Sequence, residues 1–157
     1  MKNIGELFDL GHNHGKRILP RDGIMMCNQS SGRDRRALVI AIGKDLMESC
    51  RWVTGDRCTI DLDPVKSEMT LRRVDTTDKQ VVSWMMSSRS GEKGAKKGRT
   101  EPVTVKITAT PIMLSAFGMD DADTPYIPSP VITGPAGITF PLKKAWMVVN
   151  RPKQQRA

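Results

Sequence analysis

The chain predicts a β-rich α+β fold, and three observations carry that expectation. Residues 36–74 change hydrophobic period along their length, from a β-branched run to helical spacing to strict alternation. Residues 103–142 run through a similar order of elements. Around and between these stretches lie basic, Ser- and Gly-rich segments that suit arms and loops better than a core.

Taken in order, residues 1–15 begin weakly helical at Ile4, Leu7, Phe8 and Leu10 and then become GHNHG, while residues 28–35, NQSSGRDR, are turn-rich. Leu38, Val39, Ile40 and Ile42 form the first strand. Leu46, Met47 and Cys50 then fall at helical spacing, and Gly55-Asp56 marks a turn. Cys58, Ile60 and Leu62 alternate, Asp63-Pro64 and Lys66-Ser67 make a hairpin loop, and Met69 and Leu71 alternate on its return arm. QVVSWMM at 80–86 is a further strand or a packed turn, and Ser87 to Thr100 reads as a disordered loop.

Beyond that loop, Val103, Val105 and Ile107 alternate as a strand. Thr110 is a good N-cap, Pro111 a good first helical residue and Gly118 a good stop after the apolar face Ile112, Met113, Ala116 and Phe117. An acidic turn (Asp120, Asp121, Asp123), the extended TPYIPSPVI, a Gly-Pro turn and a strand over 137–142 follow. Pro125, Pro128, Pro130, Pro135 and Pro141 argue against a regular central strand in this region. At an offset of about 66 residues Met47 meets Met113, Ser49 meets Ser115 and Cys50 meets Ala116. Two alternatives stand: a degenerate second copy of the first module, or an unrelated β-rich extension that completes a barrel.

The first module resembles the swapped-hairpin fold of the AbrB and MazE-type DNA-binding family. The resemblance rests on Ile42-Gly43-Lys44 where the family has Ile-Pro-Lys, on Leu46 and Cys50 at the helix apolar positions, on Trp52 at the large apolar site and on the Gly55-Asp56 turn. It covers about a quarter of the chain, and two positions depart from it. Gly43 replaces the usual Pro, and Arg51 replaces the usual helix-ending Gly. The resemblance implies a swapped-hairpin β-barrel that a single module builds by dimerising; two copies in one chain would build it internally, as a pseudo-dimer. The implied organisation is a basic, partly flexible arm over 1–35, a swapped-hairpin module over 36–86, a basic loop over 87–101, a second β-rich module over 102–150 and a basic tail over 151–157.

Charge locates the partner. The net charge is +8, yet residues 37–74 are neutral, with six basic and six acidic side chains. Residues 16–36 and 89–99 each carry net +4 and residues 151–157 net +3, so the excess sits on arms and a loop. That layout suits gripping a polyanion. Ten Met against seven aromatic residues predict a Met-filled core. No apolar run approaches a membrane span and the N-terminus has no signal-type segment, so the expected location is cytoplasmic, with reduced thiols at Cys27, Cys50 and Cys58.

No enzyme constellation emerges. His12 and His14 with Cys27 match no paired zinc spacing, and the three aspartates lack the calcium-loop pattern, so no metal or cofactor is expected. A phosphate loop of P-loop type is missing from the sequence too. Cys50, Cys58 and Trp52 read as core; Trp84 and Trp146 read as packing residues with some capacity to stack on bases.

Recognition remains. In the swapped-hairpin family DNA is met by basic residues before the first strand and at the strand-to-helix face. The resemblance therefore points to Arg33, Arg35, Arg36 and Lys44, and more weakly to Arg51 and Arg57 beside the turn. Lys44 is also expected near backbone N–H groups at the helix start, a favourable place for phosphate. Lys93, Lys96, Lys97 and Arg99 would add sequence-independent attraction. Arg72 and Arg73 are neighbours on a strand and so address opposite faces.

The preferred expectation is a non-enzymatic regulator of transcription or of nucleic acids that binds double-stranded DNA, as a homodimer or an internal pseudo-dimer. The alternatives are an antitoxin-like adaptor that wraps a protein partner with its Pro-rich 124–142 segment, and a binder of single-stranded DNA or RNA.

Overall fold

The structure, a computed structural model, describes residues 19–30, 32–75, 80–89, 98–120 and 124–143. Nine strands and two short helices follow in order: β1 (Ile24–Ser30), β2 (Arg36–Ile42), α1 (Lys44–Cys50), β3 (Arg57–Asp63), β4 (Glu68–Val74), β5 (Trp84–Met85), β6 (Ser87–Ser88), β7 (Val103–Ala109), α2 (Pro111–Ala116), β8 (Ile132–Gly134) and β9 (Gly137–Pro141). They make two antiparallel sheets, β1-β2-β7-β6 and β5-β3-β4-β9-β8. Both sheets are open among the described residues, so the fold is β-rich α+β. No helix among those residues is long and apolar enough to cross a membrane.

β1 corrects the expectation of an N-terminal arm over 1–35. Ile24 and Met26 are fully buried in the main core, and Met25 packs with Leu19 and Ala41 on the opposite face. A strand covered on both faces loses its alternation and reads as a short apolar run, IMMC, easily mistaken for part of a charged arm. β2 has the same cause for its continuous run: it lies between β1 and β7, and Ala37, Leu38, Ile40, Ala41 and Ile42 are all buried. The core is rich in Met as expected, with Met26, Met47, Met69, Met86 and Met119 fully buried around Phe140 and Trp52.

The two helices end alike. Trp52 N–H donates to the Met47 carbonyl at 2.9 Å and Met119 N–H to the Leu114 carbonyl at 2.7 Å. Arg51 N–H reaches Glu48 O at 3.1 Å and Gly118 N–H reaches Ser115 O at 3.0 Å. Arg51 (φ 57°) and Gly118 (φ 73°) both take the left-handed conformation that turns the chain out of a helix. Each second member follows its counterpart by 67 residues, as Val103 follows Arg36 and Pro111 follows Lys44. The correspondence is therefore one residue longer than side-chain identity suggested, and Met47 answers to Leu114 rather than Met113.

The same separation governs the sheets. Val39 lies opposite Lys106 in the β2·β7 pair, and Leu71 lies opposite Ile138 in the β4·β9 pair. Antiparallel strands that pair each central residue with its own counterpart are related by a local two-fold. Side chains are hardly shared: across β2 and β7 only Ile40 and Ile107 agree at this separation.

The sheets meet at two corners. At one, the chain over 84–88 passes from sheet to sheet around Met86, whose N–H donates to Asp56 O at 2.8 Å and whose carbonyl accepts from Gly55 N–H at 2.9 Å. At the other, Met26 and Tyr126 exchange two backbone bonds of 2.8 Å. That contact stays an isolated bridge. Pro125, Pro128 and Pro130 around Tyr126 have no N–H to extend a ladder, so a closed barrel does not form there. The prolines do not exclude a central strand further on: β9 lies between β4 and β8, with Pro141 as its last residue.

Candidate nucleic-acid interface

The β2·β7 pair sets out the candidate interface. Arg36 lies opposite Ala109 and Ile42 opposite Val103, so the two ends of the pair are about 20 Å apart at the usual strand rise. The chain enters β2 at one end from the connection after β1, and enters β7 at the other end from the connection after β6. Those connections carry most of the basic residues expected to meet DNA.

Arg33 and Arg35 are exposed on the first connection. Its course is tight: Gly32 (φ 99°) and Asp34 (φ 56°) are both left-handed, and Arg35 N–H donates to Gly32 O at 3.4 Å. Arg36 differs from its neighbours. It is half-buried, its Nε donates to Asn28 Oδ1 at 2.8 Å and its Nη2 to Asn28 O at 3.3 Å. Asn28 in turn is buried and donates through Nδ2 to Met119 O at 2.8 Å. Arg36 therefore closes the β1–β2 hairpin and ties it to the chain after α2.

At the other end stand Lys44 and Arg99. Lys44, the first residue of α1, is about half exposed and lies 3.9 Å from Glu48, a surface pair one helical turn apart that holds it only weakly. Arg99 is exposed, and its carbonyl accepts from Thr54 N–H at 2.9 Å and Thr54 Oγ1 at 3.0 Å, which docks the second connection on the turn after α1. Lys93, Lys96 and Lys97 lie outside the described residues.

The expected phosphate place at the start of α1 is not there. Gly43 N–H already donates to Gly23 O at 2.9 Å and Asp45 N–H to Arg21 O at 2.7 Å. Arg21 also pairs with Asp45 at 3.2 Å. This approach explains Gly43 where the resemblance led to Pro: a Cβ there would collide with the carbonyl oxygens of Pro20 and Arg21.

Arg51 is exposed beyond α1, at the far side of that helix from Lys44. Arg57 serves the fold, with Nε donating to Ser83 Oγ at 2.7 Å and Nη2 to Ser83 O at 2.6 Å, fastening the 80–83 segment to β3. Arg72 and Arg73 pair with different carboxylates, Asp61 at 3.4 Å and Asp56 at 3.7 Å. One basic residue escaped the sequence reading. Lys106 is exposed at the centre of the β2·β7 pair, flanked on its face by Thr104 and Thr108. The alternation of Val103, Val105 and Ile107 held the signal, since it turns Lys106 away from the core.

Elsewhere, an open cleft of about 420 Å³ between α1 and β8 is lined by Ser49, Cys50, Trp52, Arg72, Arg73 and the 133–137 turn. Burial raises the Cys50 thiol and pushes Cys58 up to about 12, with Arg57 pulling weakly the other way. Burial also raises Tyr126, whose hydroxyl donates to Pro141 O at 2.9 Å. Among the described residues no three His, Cys, Asp or Glu side chains gather as a metal site; His12 and His14 lie outside them. No family model matches the chain, and neither a curated protein nor a solved structure matches it.

Proposed function

We propose that this chain is a non-enzymatic DNA-binding protein, a small regulator of transcription or of nucleic acids, built as a single-chain version of a swapped-hairpin pair. The hairpin β3–β4 pairs with β5 and β9 of the later half and makes no pair with β2. Joined to the constant separation of 67 residues, that exchange supports an internal pseudo-dimer over an unrelated extension.

One observation carries the functional reading. Exposed basic residues stand at both ends and in the middle of the β2·β7 pair: Arg33 and Arg35, then Lys106, then Lys44 and Arg99. Charges spread over about 20 Å of a rigid strand pair suit the phosphates of a duplex, whose neutralisation releases counterions. Arg36 and Arg57 are assigned to the fold, because folding already uses their guanidinium donors.

A protein partner is the second reading, and β8 favours it. Ile132, Thr133 and Gly134 are exposed on a terminal strand of their sheet, an edge that an extended peptide can join. The wrapping tail expected over 124–142 weakens that reading, since β9 and Tyr126 are spent on the chain's own core. Single-strand binding is less favoured, because Trp84 packs against the core.

Fluorescence anisotropy with random-sequence duplex and single strands across a salt series tests the proposal. Duplex binding that falls steeply with salt supports it. No binding at about 50 mM salt, where counterion release still favours phosphate contacts, removes it and leaves the protein partner.

A further inference from the structure

We infer that one chain is the whole DNA-binding unit and that it reads a site without two-fold symmetry, lying on it in one fixed direction. This rests on the DNA-binding reading above. A homodimer presents identical side chains at both ends of its two-fold, so its preferred site is a palindrome. Here the backbone supplies the two-fold and the side chains break it.

The break is systematic. At the separation of 67 residues Lys44 is answered by Pro111, Arg51 by Gly118 and Lys106 by Val39. The connections differ as well. Five residues join β1 to β2, and fourteen join β6 to β7. The short one is held as a tight turn with Arg33 and Arg35 exposed, whereas the long one is fastened through the Arg99 carbonyl to Thr54. One end of the β2·β7 pair thus offers two arginines on a stiff turn, and the other offers Lys44 beside a docked loop. A duplex has equivalent strands in both directions, so unlike ends must meet unlike sequence to be satisfied together. The chain also has no need of a second copy, because β2·β7 and β4·β9, the pairs a dimer would make between chains, are both made within it.

Selection of bound sequences from a random duplex library with the full chain, followed by native mass spectrometry on the enriched duplex, tests this. The expected result is one chain per duplex and a motif unlike its own reverse complement, with affinity falling about tenfold or more when one half is rewritten to make a palindrome. Arg33→Ala with Arg35→Ala should relax the preference at one end of that motif only. A palindromic motif, two chains per site, or binding with no sequence preference overturns the inference while leaving DNA binding intact. Retention of no duplex at all overturns the DNA-binding reading itself.

Discussion

Leu71 sits opposite Ile138 in the β4·β9 pair, and Ile138 is the residue 67 positions after Leu71. Val39 and Lys106 repeat that relationship in the other sheet. Two strand pairs centred at one separation give the chain a two-fold backbone, on which nearly every side chain has been left to differ.

Arg36 and Asn28 form a structural link, which sets them apart from the exposed arginines beside them. Removing Asn28 leaves the Met119 carbonyl and the Arg36 guanidinium without their partner, a loss of about 1–3 kcal/mol. Asn28→Ala and Arg36→Ala should each lower the melting temperature by several degrees. Neither should change the slope of DNA affinity against salt, measured on the folded variants.

Arg51 ends α1 at φ 57°, where a side chain is strained and Gly is not. Arg51→Gly should therefore stabilise the protein by about 1 kcal/mol, seen as a higher urea midpoint at unchanged slope. A lower midpoint would show that the Arg51 side chain contributes more than its backbone costs.

Gly43→Ala should do the reverse. Its methyl group would displace the Pro20 and Arg21 carbonyls and loosen the bonds from Gly43 and Asp45 N–H, a loss of about 2–3 kcal/mol. Urea unfolding measures it, and hydrogen exchange at Gly43 and Asp45 should quicken.

Cys58 makes stability depend on alkaline pH. Its thiol is raised to about 12 in the folded state from a model value of 9.0, so the unfolded chain ionises first. Stability is full below about pH 9 and falls as pH rises from there toward 12, by about 1 kcal/mol up to pH 10. Urea midpoints at pH 8 and 10 should show that fall, and Cys58→Ala should lessen it, with Cys50 supplying the remainder.

What could be read in the sequence followed from how local its cause was. Thr110, Pro111 and Gly118 announced α2 because caps act over a single turn, and Thr110 Oγ1 does accept from Met113 N–H at 3.2 Å. The β3–β4 hairpin followed from alternation and a turn. β1 was hidden because Met25 and Met26 are buried on opposite faces. Arg36 and Arg57 looked like free cations because their partners, Asn28 and Ser83, become neighbours only through pairing and loop docking. The separation of the two halves was misplaced by one residue, since a Met–Met match is a poorer guide than the hydrogen bonds that end each helix.

The most direct test is the salt dependence of duplex affinity for the natural chain and for Arg33→Ala with Arg35→Ala. Both arginines are exposed, so stability should stay within about 0.5 kcal/mol. The account predicts weaker binding and a slope of log affinity against log salt that is shallower by about 2. An unchanged slope would contradict the placement of the interface at the β2·β7 ends, and no duplex binding by the natural chain at about 50 mM salt would contradict the function.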